Sequence, residues 1–270
     1  MQGALGEKIG EGGTSDVYAW APGQVVKLFK AGSPRRVIWW EARMTRAVFA
    51  AGAPAPEVFD EVNLEGRFGI VLTRFDGPTL LQLSRSGAVT FEQTGAILAT
   101  ICISVHKTPP PPDVPSLRDW MDGTLRFLGG MLPRHIAPGI LSLIERLPPG
   151  DGLCHCDLHP GNVIMTTDGP RIIDWDGAVR APAALELACC HISLSEIAPH
   201  IVDNPARPRA VNAALQSEYA RLTGVSLAAL TAAMAPYLPI AGVHLLAGTM
   251  PAQRERLIQR VEQHLRAAEC

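Results

Sequence analysis

Lysine is scarce in this chain of 270 residues: four lysines stand against twenty arginines. The formal net charge is −2, so nothing in the charge balance calls for nucleic acid or an acidic membrane surface as a partner. No apolar run reaches the roughly 18 residues that a membrane span needs. The opening M-Q-G-A-L-G-E-K lacks the apolar centre of a signal peptide. Together these absences lead us to expect a soluble, cytoplasmic chain. Six cysteines are too few to frame a chain of this length with disulfides. Cys154 and Cys156 form a C-x-C, but no second Cys/His pair follows at zinc-finger spacing, so Cys154 reads as a buried thiol. Cys189 and Cys190 fall in an apolar helical run and read as small core residues. Aromatics are few, and from Gly177 onward only Tyr219 and Tyr237 remain. No internal repeat is visible.

Apolar residues make up 47% of the chain, enough for one compact core or two lobes. The first quarter reads as strands over Leu5–Gly10, Ser15–Ala21 and Gln24–Phe29, with a Pro22-Gly23 turn between the last two. A helix follows over Arg35–Ala51, with Trp39, Met44, Ala47 and Val48 on its apolar face. Two more strands, Glu57–Val62 and Gly69–Arg74, flank a Glu65-Gly66 turn. Beyond Asp76-Gly77-Pro78 the chain turns helical, starting with Leu80–Ser86 and Phe91–His106. After the Pro-rich connector 108–115, further helices are expected over 117–132, 136–147, 185–197, 207–222, 227–247 and 252–268.

The richest stretch runs from His155 to Asp176: H-C-D-L-H-P-G-N-V-I-M-T-T-D-G-P-R-I-I-D-W-D. Val163–Met165 and Arg171–Ile173 read as short apolar strands about the turn Thr167-Asp168-Gly169-Pro170. A hairpin there brings Asn162 and Asp174 to its open mouth. Asp157 lies five residues before Asn162, across a tight Pro160-Gly161 corner. One loop then holds a general base, and one hairpin mouth holds two oxygen ligands for a hard cation such as Mg²⁺. Phosphoryl transfer needs this set, because its loose transition state is stabilised mainly by positioning and charge neutralisation.

The segment resembles the catalytic core of the aminoglycoside phosphotransferase and choline kinase-like enzymes, a branch of the protein-kinase-like fold. Their pattern is close to H-G-D-x-H-x-x-N followed by I-D-W/F, and His155, Asp157, His159, Asn162, Ile173, Asp174 and Trp175 match it. Cys156 departs where the family usually has glycine, a residue free to adopt positive φ. The resemblance implies an α+β, bilobal fold: a β-rich N-lobe over residues 1–75 that binds nucleotide, and a mostly helical C-lobe over 76–270. It also implies Asp157 as catalytic base, Asn162 and Asp174 as Mg²⁺ ligands, and ATP or GTP as donor. His155 and His159 are expected to prop the loop. Asp176 is expected to act as a cap or substrate-side contact. Glu186 lies near a family acidic residue that braces the loop.

Gly10-Glu11-Gly12-Gly13-Thr14-Ser15-Asp16-Val17 sits between the first two strands. Gly10, Gly12 and Val17 fit a G-x-G-x-x-G-x-V register, and Gly13 adds to the loop. Ser15 replaces the third glycine, and its hydroxyl could help hold phosphate. Lys27 follows at the spacing of the kinase lysine that pairs the α/β-phosphates, ahead of its neighbour Lys30. Glu41, early in the N-lobe helix, is its expected partner. Thr73, Arg74 and Phe75 fall where the resemblance puts the hinge, whose backbone would read adenine.

The acceptor is expected to be a hydroxyl on a small molecule. From Gly177 to Cys270 seven acidic residues face eight arginines, which argues against a polycationic aminoglycoside. Two tyrosines are too few for a choline cage. The acceptor wall is expected within 185–197 and 227–268, and to suit a modestly polar ligand. No A-P-E segment follows Asp174, which disfavours a protein substrate. Two alternatives stand beside this reading: a catalytically inactive kinase-like binding module, and an antibiotic resistance kinase that acts on an aminoglycoside.

Overall fold

A computed structural model describes residues 5–269. Five antiparallel strands form the N-terminal sheet in the order β1-β2-β3-β5-β4. They are β1 (Lys8–Glu11), β2 (Ser15–Ala19), β3 (Gln24–Phe29), β4 (Val58–Leu64) and β5 (Arg67–Thr73). Central β3 is buried on both faces: Val25, Val26, Leu28 and Phe29 are sealed, and so is Lys27. Helix α1 (Arg35–Ala50) packs on this sheet. Its buried face is Ile38, Glu41, Ala42, Met44, Thr45 and Val48, the three- and four-residue spacing of one helical stripe. Trp39, expected on that face, is exposed instead and stacks under the Arg43 guanidinium. The correction matters, because the true stripe carries Glu41 inward.

The C-lobe begins with α2 (Leu80–Ser86) and α3 (Phe91–Lys107). Both start with a capping box: Thr79 with Gln82, and Thr90 with Gln93. Gly87, in the left-handed region at φ 79°, ends α2. Then come α4 (Leu117–Leu128), α5 (Ile136–Arg146), α6 (Ala183–His191), α7 (Ala206–Thr223), α8 (Leu227–Met234), α9 (Leu238–Leu246) and α10 (Pro251–Glu269). Helix α6 continues into a π-helical stretch, Ile192–Ile197. Helices α3 and α7 lie close because Gly95 has no side chain: a Cβ there would sit 2.5 Å from the Val211 carbonyl.

By length and composition, Leu227–Leu246 is apolar enough to cross a membrane, contrary to the reading that no run is long enough. The structure breaks it in two. Pro236 and Pro239 lie at the junction, each lacking a backbone donor, and a 3₁₀ turn over Ala235–Tyr237 separates α8 from α9. Half of the segment is buried in the C-lobe.

Two small ladders frame the segment singled out from the sequence. The hairpin β7 (Val163–Thr166) and β8 (Gly169–Ile172) pairs Val163 with Ile172. A second ladder, not expected from the sequence, pairs β6 (Gly152–Cys154) with β9 (Val179–Ala181). Loop 155–162 therefore enters from one ladder and leaves by the other, and turn 173–178 does the reverse. Trp175 seals the arrangement. It is fully buried, its indole N–H donates to the Ile172 carbonyl at 2.9 Å, and losing it would cost about 3–5 kcal/mol.

Candidate active site

Lys27 is the hinge-pin between the lobes. Val17 on β2 and Ile70 on β5 flank it in register. Its Nζ donates to Glu41 Oε1 at 2.7 Å and to Asp174 Oδ1 at 2.6 Å. Burial works against the ammonium, and the two carboxylates overcome this, holding its pKa above the ordinary lysine range. Burial also pushes the Glu41 carboxyl up, to about 7, against the pull of Lys27. Lys30 turns to the other side, where it meets Asp16 at 2.7 Å. The sequence reading missed Asp16. It is buried and also pairs Lys8 at 2.9 Å and Arg67 at 2.9 Å, tying β1, β2, β3 and β5 together. Its position beside the glycine loop, alternating with Val17, was the available signal.

The glycine loop joins β1 to β2, with Gly10 opposite Val17 and the Gly12 N–H donating to the Ser15 carbonyl at 2.8 Å. None of Gly10, Gly12 and Gly13 has positive φ. Their use is room: a Cβ at Gly13 would meet nothing within 4 Å. Ser15 is buried at the start of β2. At the hinge, the N–H groups of Thr73 and Arg74 donate to the carbonyls of Glu57 and Gly23. The Arg74 side chain turns to Asp76, and Arg171 lies over the Phe75 ring.

Around Asp157 the loop is held from three sides. His155 lies fully buried against Trp175, ring centroids 4.6 Å apart. Its Nδ1 accepts the Asp157 N–H at 3.2 Å, so Nε2 carries the proton and donates to the Ile173 carbonyl at 2.9 Å. Burial lowers its pKa to about 4, which keeps the ring neutral. His159 Nδ1 accepts the Gly161 N–H at 3.0 Å, and its Nε2 lies 3.9 Å from Asp157 Oδ2. Both histidines thus prop the loop.

Glu186 braces the loop from below. It is fully buried, and its Oε2 accepts the N–H groups of His155 and Cys156. Burial lifts its carboxyl to about 7. The same carboxyl, a ring nitrogen of His106 and Cys154 Sγ lie within 4.8 Å of one another. Cys156 adopts φ 63°, so the departure from glycine falls on a left-handed residue. Asp174 is left-handed too, at φ 63°.

Asn162 donates its amide to the Asp157 carbonyl at 3.0 Å and to the Asp157 carboxylate at 3.2 Å. Its own carbonyl accepts from Ile173 N–H at 3.0 Å, which closes the hairpin mouth beside Asp174. Burial, then repulsion from Asp174, raises the Asp157 carboxyl to about 7. Its side chain still keeps 37% of its surface open. Asp176 is exposed, while its backbone carbonyl accepts the Trp40 indole N–H at 2.9 Å, fastening α1 to this turn. The structure therefore brings Lys27, Glu41, Asp157, Asn162 and Asp174 into one connected cluster.

Beside this cluster opens a cavity of about 440 Å³. His159, Pro160 and Gly161 form one side, and α2, the π-helical stretch and the start of α7 form the rest. Ser193, Leu194 and Ile197 on its wall fall inside the expected 185–197, the wall continues through 198–211, and no lining residue comes from 227–268. Those later helices pack instead into the C-lobe core around Ile240, Val243 and Val261.

The sequence matches the family described as the phosphotransferase enzyme family over residues 6–237. No curated protein matches. Among solved structures, an aminoglycoside-3'-phosphotransferase of type VIII aligns at TM-score 0.56 and 20% identity, covering 87% of this chain and 93% of that one. A choline/ethanolamine kinase family protein from Mesorhizobium loti aligns at TM-score 0.54 and 18% identity, covering 98% and 92%. The streptomycin–ATP ternary complex of APH(2")-IIa aligns at TM-score 0.52 and 15% identity, covering 97% and 92%. These likenesses share the protein-kinase-like fold, and the family match runs through both lobes. The chain belongs to the phosphotransferase enzyme family and is a small-molecule phosphotransferase.

Proposed function

We propose that the protein transfers the γ-phosphate of ATP to a hydroxyl of a small molecule, with Asp157 as base. The observation that carries this reading is the placement of Asp157: a reachable carboxyl anchored by Asn162, on a loop propped from below and beside Asp174, where burial also raises its pKa. A base works best when its pKa lies near the operating pH. ATP as donor is supported by the likeness to the ATP-bound relative.

The donor set suits Mg²⁺. Asn162 commits its amide N–H groups to Asp157, which leaves Oδ1 for a cation. Asp174 gives Oδ1 to Lys27 and keeps Oδ2. A hard divalent cation takes such oxygens, and it would neutralise charge on the transferring phosphoryl group. Lys27 would meet the phosphates, with Glu41 orienting it. The glycine loop would approach them through Gly12 and Gly13. At the hinge, adenine recognition falls to carbonyls and to the N–H groups beyond Arg74, since those of Thr73 and Arg74 are already committed.

In the reaction the acceptor oxygen forms a bond to the γ-phosphorus while the bond to the β-phosphate oxygen breaks. The acceptor proton passes to Asp157, and ADP leaves. The test is Asp157→Asn. Turnover should fall by roughly 10²–10⁴-fold, while the Mg²⁺-dependent thermal shift with ATP is kept. Wild-type turnover in this variant would sink the reading. So would ATP-dependent stabilisation of the wild type without turnover on any alcohol, which would favour a binding module.

A further inference from the structure

The cavity beside the catalytic loop says more about the acceptor than the charge count did. We infer that the acceptor is an amphipathic alcohol, with an apolar body and either no charge or a single anionic group, seated between α2, α7 and the π-helical stretch. The inference rests on the phosphotransfer reading above and concerns the same site.

Position comes first. His159 touches both: its Nε2 is 3.9 Å from the Asp157 carboxylate, and it lines the cavity. An acceptor whose hydroxyl reaches Asp157 therefore sends the rest of its body past His159 into this space. The volume, about 440 Å³, lies within the range of drug-sized ligand sites.

Lining comes second. Leu81, Phe91, Leu194, Ile197 and Val211 make the walls, and Ile201, 57% exposed, stands at the rim. The π-helical stretch forms one wall. Ser193, Leu194 and Ile197, three and four residues apart, face the cavity together from this stretch. An apolar body leaving water for such walls gains roughly 25 cal/mol for each Å² buried. A sugar-like body would instead leave its hydroxyls unpaired there.

Charge comes third. Two arginines, Arg85 and Arg207, line the cavity against one acid, Asp203. Arg207 lies over the Phe91 ring, 5.4 Å from its centroid. Neither arginine makes an ion pair among the described residues. A polyamine would meet net repulsion and one carboxylate. A single carboxylate or phosphate on the ligand would find two free guanidinium groups.

The experiment is ADP release by the full chain with Mg-ATP and three probes: a hydroxysteroid, a hydroxy fatty acid and gentamicin. ATP binding is followed in parallel by thermal shift. At least one apolar alcohol should stimulate ADP release, and gentamicin should not. Ile197→Trp, which fills the cavity, should raise the KM of that alcohol by about 10–200-fold, the discrimination an apolar pocket can supply. Ile201→Asp at the exposed rim should raise it less. Both should keep the ATP shift. Stimulation by gentamicin but by no apolar alcohol, with the ATP shift intact, overturns the inference and leaves the phosphotransfer reading standing; an ATP shift with stimulation by no probe at all overturns the inference and counts against that reading as well. An unchanged KM in Ile197→Trp overturns it too. Absence of any ATP shift in the wild type fails the underlying reading, and this inference with it.

Discussion

Replacing Lys27 with methionine keeps the length of the side chain and removes the charge between Glu41 and Asp174. The two carboxylates then fare differently. Asp174 has 38% of its side chain open, so water replaces the ammonium. Glu41 is sealed, with 6% open, and must keep a proton to stay in place. In the wild type its pKa is about 7 with Lys27 beside it. In the variant nothing pulls it down, so the folded carboxyl stays protonated well above 7 while the unfolded one is ionised. The folded state then binds more protons than the unfolded state, and stability falls as pH rises. Relative to wild type, whose own Glu41 is ionised above 7, the extra loss is about 1.4 kcal/mol per pH unit. From pH 7 to pH 9 that amounts to about 2.7 kcal/mol, a large share of the 5–15 kcal/mol typical of domains. Urea unfolding across this range should show the midpoints of wild type and Lys27→Met diverging by roughly 1 M. Adding Glu41→Gln should flatten the slope without restoring turnover. Parallel pH profiles for wild type and Lys27→Met would refute the argument, because Glu41 would then not be sealed against Lys27.

Other expectations concern the neighbouring groups. Asp174→Ala should weaken the Mg²⁺-dependent ATP shift more than Asn162→Ala, because a carboxylate brings full charge and an amide only a dipole; equal losses by calorimetry would count against the ligand assignment. Glu196, in the π-helical stretch, meets Arg260 at 2.7 Å and His264 at 3.0 Å, and these contacts hold its pKa near 2 despite burial. Glu196→Ala should cost about 2 kcal/mol near neutral pH. Since the folded pKa is depressed, the wild-type advantage should persist above about pH 4.5 and fade as pH falls toward 2, and denaturation at several pH values would show whether it does. Cys156→Gly should relieve about 1 kcal/mol of left-handed strain and lose a similar amount of buried thiol packing, so unfolding midpoints and turnover should both stay near wild type.

Much of this site was legible because its chemistry sits in short, ordered words. The hairpin about Asp168-Gly169, and with it the nearness of Asn162 and Asp174, followed from turn residues and two apolar runs. Lys27 followed from its spacing to the glycine loop, and its Nζ donates to Glu41 Oε1 at 2.7 Å. What stayed hidden depends on packing between distant segments. The β6–β9 ladder joins residues 25 to 29 apart through a three-residue strand with no turn signal. On α1, Met44 and Val48 were read correctly as inward, but Trp39 looked like core and is exposed, while Glu41 and Thr45 share the buried face for ionic and packing reasons that hydropathy does not register. The cavity wall beyond Ile197 runs through 198–211, where an irregular link gives no periodic pattern to read.

The five described cysteines, all buried and unpaired, give this protein a built-in reporter of its own opening. Four of them, Cys154, Cys156, Cys189 and Cys190, lie on β6, the catalytic loop and α6, and Cys190 donates to the Leu158 carbonyl of that loop. Burial keeps the Cys156 and Cys189 thiols protonated and therefore unreactive, and the contact with Cys102, then burial, does the same for Cys190. A thiol reagent can reach them only when the floor of the active site comes apart, so labelling rates measured with and without Mg-ATP would time that rupture against unfolding of the whole chain, with no engineered probe.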